Sequence, residues 1–579
     1  MTINRFNNWI LPLAVAVIIA AYLIILFYRG FNDPDEGRYS EIPREMVANG
    51  NWMEMRMLGF RYYEKPPLAY WLVAPAIKVF GPRDWAVRIP LLFSGIFCLV
   101  LLTAVSIRQF GLRHGLFSAL TMASLVGFIA GNGLLLTDSF LLSFFAATCV
   151  FIYLAFADNQ SSESLSSQWH DLSSHRHERH RYLALAAIAA ALGFFTKGAV
   201  AVVLPAAIGF IWLLWERRLK VLFRPSTSVA VLFAILLVLP VVWLIERYNP
   251  GFARHFIFEE HIARFQGTRA TQLHPEPFWF FLMVLPLLLL PWTLFLFRAG
   301  RTIWKQKVFG QDSFSRFLFV WAAVVICFFS ISTGKLMSYI LPAIPPLGLL
   351  LGRWGVSEPK EGRGTWDDRL WRIGAAGFII VAAVIVVVWF LAYFCLVPKT
   401  IYPISGASVA ALIPIIAVSV FAYKQRADID FAGLLLFNSG ILLACALLLS
   451  PLAGKDFNVL LHINSSYVYK SLARELKPDD KIVVFWSYRP ALPFYTQKLY
   501  VPFQEDNELS YGMKMEPERP DGLDNAGELL KFLENSTGRV FALVEPQDLK
   551  SKFPALKLNF KETNLPRDPD TIIYELIRP

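Results

Sequence analysis

The chain has 579 residues, 56% hydrophobic and only 17% charged, with a mean hydropathy of +0.48 and a formal net charge of +11. A soluble domain is about 45–50% apolar and about 25% charged, so a string of soluble domains is excluded. Apolar runs of about 18 residues or more recur along residues 1–450 and imply a polytopic α-helical membrane protein. In such a chain the basic excess signals orientation rather than nucleic acid, for which no role is expected.

The first apolar run, Trp9 to Tyr28, follows a lone Arg5 and lacks a small-residue cleavage site, so it reads as a retained anchor. About 13 transmembrane helices are predicted, at 8–28, 85–107, 115–132, 139–157, 182–196, 199–215, 226–246, 278–297, 317–333, 336–352, 373–396, 406–423 and 431–451. With the N-terminus cytoplasmic, 22 lysines and arginines fall in inner segments against 7 in the short outer loops. Residues 1–452 are therefore expected as a transmembrane domain whose largest outer loop is 29–84. That loop mixes Phe60, Tyr62, Tyr63, Leu68, Tyr70 and Trp71 with charges, which predicts amphipathic helices at the interface.

Residues 453–579 are expected outside, as a soluble α/β domain with strands at Lys481–Trp486 and Val540–Val544 and a helix over Glu528–Glu534. Cys98, Cys149, Cys327, Cys395 and Cys445 all lie in apolar segments without metal-ligand spacing and are expected to be buried thiols. His170, His175, His177 and His180 read as part of a solvated inner loop rather than a metal tract.

Charges at the ends of membrane spans are costly and call for a reason. Here they gather on the outer side: Asp33-Pro34-Asp35-Glu36-Gly37-Arg38-Tyr39, Glu64-Lys65, Asp138, Lys197, Glu260-His261 and Lys335 with Tyr339. Singly, Asp35 and Asp138 would suit helix N-caps, and Lys197 and Lys335 would suit snorkelling anchors. Jointly, carboxylates and cations from five segments at one depth suit chemistry on an anionic, membrane-borne substrate. Cations would stabilise a phosphate leaving group, and a carboxylate could take a proton from an attacking hydroxyl. Nucleotide donors are not expected: Ser332-Thr333-Gly334-Lys335 has Phe329 where a phosphate-binding loop needs its first glycine.

The segments Asp33–Met46 and Arg61–Pro66, then Thr196-Lys197-Gly198, Glu260–Phe265 and Ser332–Pro342, taken in order, resemble the 4-amino-4-deoxy-L-arabinose lipid A transferases. These are bacterial relatives of the protein O-mannosyltransferases with the C-type membrane glycosyltransferase fold. The resemblance covers most of residues 1–350 and the thirteen-span layout. It implies a multi-pass protein of the bacterial inner membrane. Sugar would pass from undecaprenyl phosphate to a lipid A phosphate at the periplasmic face, with inversion.

By the same resemblance, Asp35 and Asp138 are essential carboxylates. Lys65 acts with them, and Arg38, Lys65, Lys197 and Lys335 contact the donor phosphate. Tyr39, Tyr63, Tyr339 and Arg264 line the cavity. No cofactor is required by the reaction, although Glu64 and His261 could hold a zinc ion. Ser139-Phe140 departs from the family where proline is expected after the aspartate. Alternatives within the class are a protein or glycan hydroxyl as acceptor; outside it, a lipid-linked sugar transporter or a passively anchored scaffold.

Overall fold

The computed structural model describes residues 3–157, 168–263, 266, 275–356, 435, 439, 466–504, 508–516, 522–556, 558–566 and 571–577. The expected spans 373–396 and 406–423, most of 431–451, and the 452/453 boundary lie outside the described residues.

Helix α1 (Ile3–Tyr28) leads into α2 (Asp35–Asn49), a short hairpin of β1 (Arg56–Met57) and β2 (Phe60–Arg61), and α3 (Leu68–Phe80). There follow α4 (Ile89–Phe110), α5 (Leu112–Ala123), α6 (Val126–Gly133), α7 (Thr137–Phe156), α8 (Gln168–Lys197), α9 (Val200–Trp215) and α10 (Pro225–Tyr248). Among the described residues four helices are long and apolar enough to cross a bilayer: Ala86–Phe110, Thr137–Phe156, Pro225–Tyr248 and Ser313–Ile331. At 1.5 Å per residue, 19 to 25 residues reach about 30 Å, the thickness of the hydrocarbon core. α7 sits centrally, with 78% of its apolar window buried, whereas α10 has 6% and offers an apolar face suited to lipid.

Three expected spans are broken in the structure. The 115–132 span is α5 and α6, bent by 63° where Leu125 turns extended. The 278–297 span divides into helices Phe280–Leu288 and Phe295–Lys305, with Pro286 and Pro291 at and beside the break. The 336–352 span is a 3-10 turn, Met337–Ala343, followed by a short helix, Ile344–Leu350, because Pro342, Pro345 and Pro346 withhold backbone donors. His177 and His180 belong to α8 rather than to a loop, and both are exposed. Cys98 and Cys149 are buried thiols as expected, but Cys327 is exposed on the flank of Ser313–Ile331; Cys395 and Cys445 fall outside the described residues.

The 29–84 loop is covered by protein. Its α2 packs between α3 and the helix Ala491–Thr496, burying Glu36, Arg38, Ser40 and Glu41. Phe60, Tyr62, Tyr63 and Tyr70 join one hydrophobic core with Tyr469, Ile482, Leu492 and Phe494 from the C-terminal region. Aromatic rings among charges suit either a lipid boundary or a protein interface, and here protein covers them.

The C-terminal region holds a five-stranded mixed sheet in the order β4-β3-β5-β7-β6. β3 (Lys481–Phe485) runs parallel to β4 (Val501–Phe503) and to β5 (Val540–Val544), while β7 (Ile572–Leu576) is antiparallel to β5 and to β6 (Phe560–Glu562). The expected helix is Ala526–Asn535. The Asn525 side chain caps it by accepting from Glu528 N–H at 3.0 Å, and the Glu528 carboxylate reaches back to Asp524 N–H at 2.8 Å.

Asp33 ties this region to the loop. It accepts from the Ala491 N–H at 3.1 Å and the Tyr469 hydroxyl at 3.3 Å. Burial pushes its carboxyl up to about 7, against the downward pull of Arg489 and of those two donors. Between its unfolded value near 4 and about 7 the folded protein therefore holds a proton that the unfolded chain has released. The stabilisation is complete below pH ~4 and is lost as pH rises through 7. The thermal midpoint should fall between pH 5 and 8, with a shallower fall in Asp33→Asn; identical slopes would exclude Asp33 as the titrating group.

Candidate active site

The first turn of α2 carries Asp35 and Glu36, acids favoured at the positive end of the helix dipole, and Gly50 ends the helix at φ 68°. Helical spacing then puts Arg38 one turn beyond Asp35, and the two form an ion pair. The Arg38 side chain is 7% exposed, also pairs with Glu508, and lies 4.9 Å from the centroid of the Tyr39 ring. Tyr39 stacks on Tyr70 at 6.0 Å and lies beside Thr137; burial raises its pKa. Thr137 begins α7, so this contact joins α2 to the next part of the cluster.

α7 and α8 pack so that the start of one meets the end of the other. Asp138 in the first turn of α7 pairs with Lys197, the last residue of α8, and each charge matches its helix end. Asp138 also accepts from the Ser338 hydroxyl at 3.1 Å, and the Lys197 ammonium sits 4.3 Å from the centroid of the Tyr339 ring. The 3-10 turn at Met337–Ala343 supplies both partners, so the break in that expected span is what aims Ser338 and Tyr339 at the pair.

Gly198 follows at φ 93°, and a Cβ there would strike the His261 ring. This permits His261 to lie over the turn, with Nε2 3.2 Å from the Ala199 N–H and Nδ1 2.7 Å from the Phe256 carbonyl. Beside it, Lys65 donates to Glu260 at 3.0 Å and has the Glu64 carboxylate at 3.9 Å. Burial, then the Phe256 carbonyl and the Lys65 charge, act on His261, and its pKa is lowered overall.

The structure thus joins Asp35, Arg38, Tyr39, Lys65, Asp138, Lys197, His261 and Tyr339 by a continuous run of contacts. Other expected residues fall elsewhere. Lys335 is 4% exposed, and its ammonium donates to the carbonyls of Ser332 and of Glu276, the latter at 2.7 Å. It staples a loop, and burial lowers its pKa. Tyr63 packs on Phe252, His255 and Tyr511, and its hydroxyl reaches the Pro250 carbonyl at 3.5 Å. Arg264 lies outside the described residues.

Glu64 and His261 suit a metal ion poorly in this arrangement, since both His261 ring nitrogens face backbone partners. Among the described residues no group of three or more His, Cys, Asp and Glu side chains could hold an ion. A cavity of about 580 Å³ at the far end of α2, lined by Arg44, Asn49, Arg56 and Gln497, contains none of the expected site residues.

Sequence reasoning missed Glu508 and Ser338 as members of the cluster and left Glu36 without a role. Glu508 lies 470 positions from Arg38, a separation at which spacing carries no signal. Ser338 stands inside a quoted motif, but which neighbour it faces depends on a non-helical turn. Glu36 is fully buried: it accepts from both Arg29 terminal nitrogens at 2.6 Å, from Arg88 at 3.1 and 3.2 Å, and from the Asn32 and Leu135 N–H groups. Burial alone would raise its pKa, but Arg29 and Arg88 outweigh it and hold the carboxyl at about 2.

Residues 8–256 match the dolichyl-phosphate-mannose-protein mannosyltransferase family. The chain is 35% identical over 352 residues to an undecaprenyl phosphate-alpha-4-amino-4-deoxy-L-arabinose arabinosyl transferase of Pseudomonas fluorescens, covering 61% of this chain and 57% of that protein. It is 34% identical over 385 residues to the like-named protein of Erwinia tasmaniensis, covering 66% of each. The chain is thus similar over 61–66% of its length to these aminoarabinose transferases and, over residues 8–256, to the protein mannosyltransferases.

The matched part spans 57–62% of the length of the first such aminoarabinose transferases. The fold agrees over nearly the whole chain. The structure of ArnT from Cupriavidus metallidurans bound to undecaprenyl phosphate superposes with a TM-score of 0.79 at 22% identity, covering 98% of each chain. The same transferase in its apo state gives 0.78 at 21% identity, covering 99% of this chain and 98% of that one. The shared architecture is a membrane-embedded helical core with a C-terminal α/β region.

Proposed function

We propose that this chain is an inverting glycosyltransferase that moves 4-amino-4-deoxy-L-arabinose from undecaprenyl phosphate to a lipid A phosphate. The reaction takes place at the periplasmic face of the bacterial inner membrane, with the N-terminus cytoplasmic and the C-terminal domain, residues 453–579, periplasmic. The observation that carries this reading is the convergence of Arg38, Lys65 and Lys197, from three separate segments, with Asp35 and Asp138. Charges on a transporter's route would sit near mid-span on broken helices, whereas Asp138 and Lys197 lie at the ends of α7 and α8.

An oxygen of the acceptor phosphate attacks the anomeric carbon on the face opposite the polyprenyl phosphate. The bond from that carbon to the donor phosphate oxygen breaks, and its electron pair leaves with the phosphate. Arg38, Lys65 and Lys197, all largely buried, neutralise the growing charge. Asp138 and Tyr339 hold the Lys197 ammonium in place. A phosphate acceptor arrives deprotonated, so Asp35 acts as a positioning residue that orients Arg38. The reaction requires no cofactor, and a zinc ion at Glu64 and His261 would first have to displace the Ala199 N–H from Nε2.

The reading is tested by mass spectrometry of lipid A from cells with and without the gene, and by transfer from a polyprenyl donor with purified protein. Aminoarabinose-modified lipid A that appears only with the gene is the expected result. Unchanged lipid A, with transfer to a protein or glycan hydroxyl, would redirect the acceptor. Transfer should also survive exhaustive EDTA treatment; a loss restored by zinc would assign an ion to Glu64 and His261.

A further inference from the structure

Arg38 is shared by two acids of different origin. Asp35 lies on its own helix, while Glu508 comes from the C-terminal region and also accepts from the Tyr62 hydroxyl at 3.2 Å. One guanidinium between two carboxylates leaves a net charge of −1 where an anionic donor headgroup has to bind. Asp35 is tied to Arg38 by helical spacing, and its carboxylate is 46% exposed. Glu508 is held across a tertiary contact, where a competing anion can replace it without unwinding a helix.

We infer that Glu508 is a built-in counter-anion that competes with polyprenyl phosphate for Arg38 and so drives product release. This rests on the donor class proposed above. The donor is a phosphodiester with one negative charge. Transfer leaves a phosphomonoester, which carries about −1.5 to −2 at neutral pH. The product therefore binds the cation cluster more tightly than the donor does, and turnover needs something to take Arg38 back. Glu508, steered by Tyr62, is the carboxylate among the described residues that contacts that guanidinium from outside α2. Gly512 helps keep the segment close, since a Cβ there would collide with the Arg61 carbonyl.

The probe is undecaprenyl phosphate, measured by direct binding and as a product inhibitor in detergent micelles. Removing a partly exposed competing charge should tighten its binding to Glu508→Gln by about fivefold. In the same variant the multiple-turnover rate should fall while the single-turnover rate holds. Tyr62→Phe, which deletes only the hydroxyl, should shift both measurements the same way by less, and Glu508→Asp should restore part of the multiple-turnover rate. A purely structural role for Glu508 would weaken binding and slow both rates together. Unchanged or weaker undecaprenyl phosphate binding in Glu508→Gln, with wild-type binding intact, overturns the counter-anion role alone. Failure of the wild-type protein to bind undecaprenyl phosphate overturns the functional reading itself.

Discussion

Asp35→Asn should lower the rate of sugar transfer by about 10²-fold, in kcat more than in the KM for the donor, comparable to losing one preorganised electrostatic contact. The amide keeps the shape of the carboxylate and removes the charge that holds Arg38 from within α2. Arg38 then pairs with Glu508 alone and is drawn away from the leaving group. Asp35→Glu should recover part of the rate, and thermal unfolding should stay near wild type because the Asp35 side chain is half exposed. The pH profile separates two roles. A positioning residue gives parallel profiles in wild type and variant, whereas a general base gives an acid limb that disappears in Asp35→Asn. The second outcome would favour a hydroxyl acceptor, and undiminished transfer would remove Asp35 from the site.

Glu36→Gln, one residue away, should act on the fold. Glu36 has no solvent exposure and accepts hydrogen bonds from two buried guanidinium groups and two backbone N–H groups. The amide can accept at one atom only and leaves Arg29 and Arg88 without their counter-charge. Breaking a buried pair in this way costs about 3–5 kcal/mol. Arg88 also donates to the Arg29 and Gly30 carbonyls, and Arg29 to the Gly133 carbonyl, so the loss spreads from the end of α1 to the turn before α7. Low yield and a lowered thermal midpoint in detergent are expected, with Glu36→Asp intermediate. A Glu36→Gln protein that purifies with the wild-type midpoint would show that this network adds nothing to stability.

These neighbouring acids show how far one dimension reaches. Asp35 and Glu36 sit in one motif, equally acidic and equally near the start of a helix. Which one faces the site depends on α2 being packed on both sides, so that consecutive residues, about 100° apart around a helix, meet different surroundings. Lys335 shows the same limit. The resemblance implies a donor-phosphate contact, whereas in the folded chain two nearby carbonyls accept from its ammonium. The broken spans reflect proline placement and packing rather than apolar content, which is all that a hydropathy window registers.

By itself the sequence determined that this is a membrane protein with charged segments at the ends of its spans. It also carried the resemblance to the aminoarabinose transferases and, in the C-terminal region, the positions of β3, β5 and the capped helix between them, because hydrophobic periodicity and cap chemistry are local. Only the tertiary structure decided which acid pairs with which cation, that 29–84 is covered by protein, and that Glu508 reaches Arg38. Those outcomes depend on contacts between residues hundreds of positions apart, and desolvation and packing fix them only when the chain has folded.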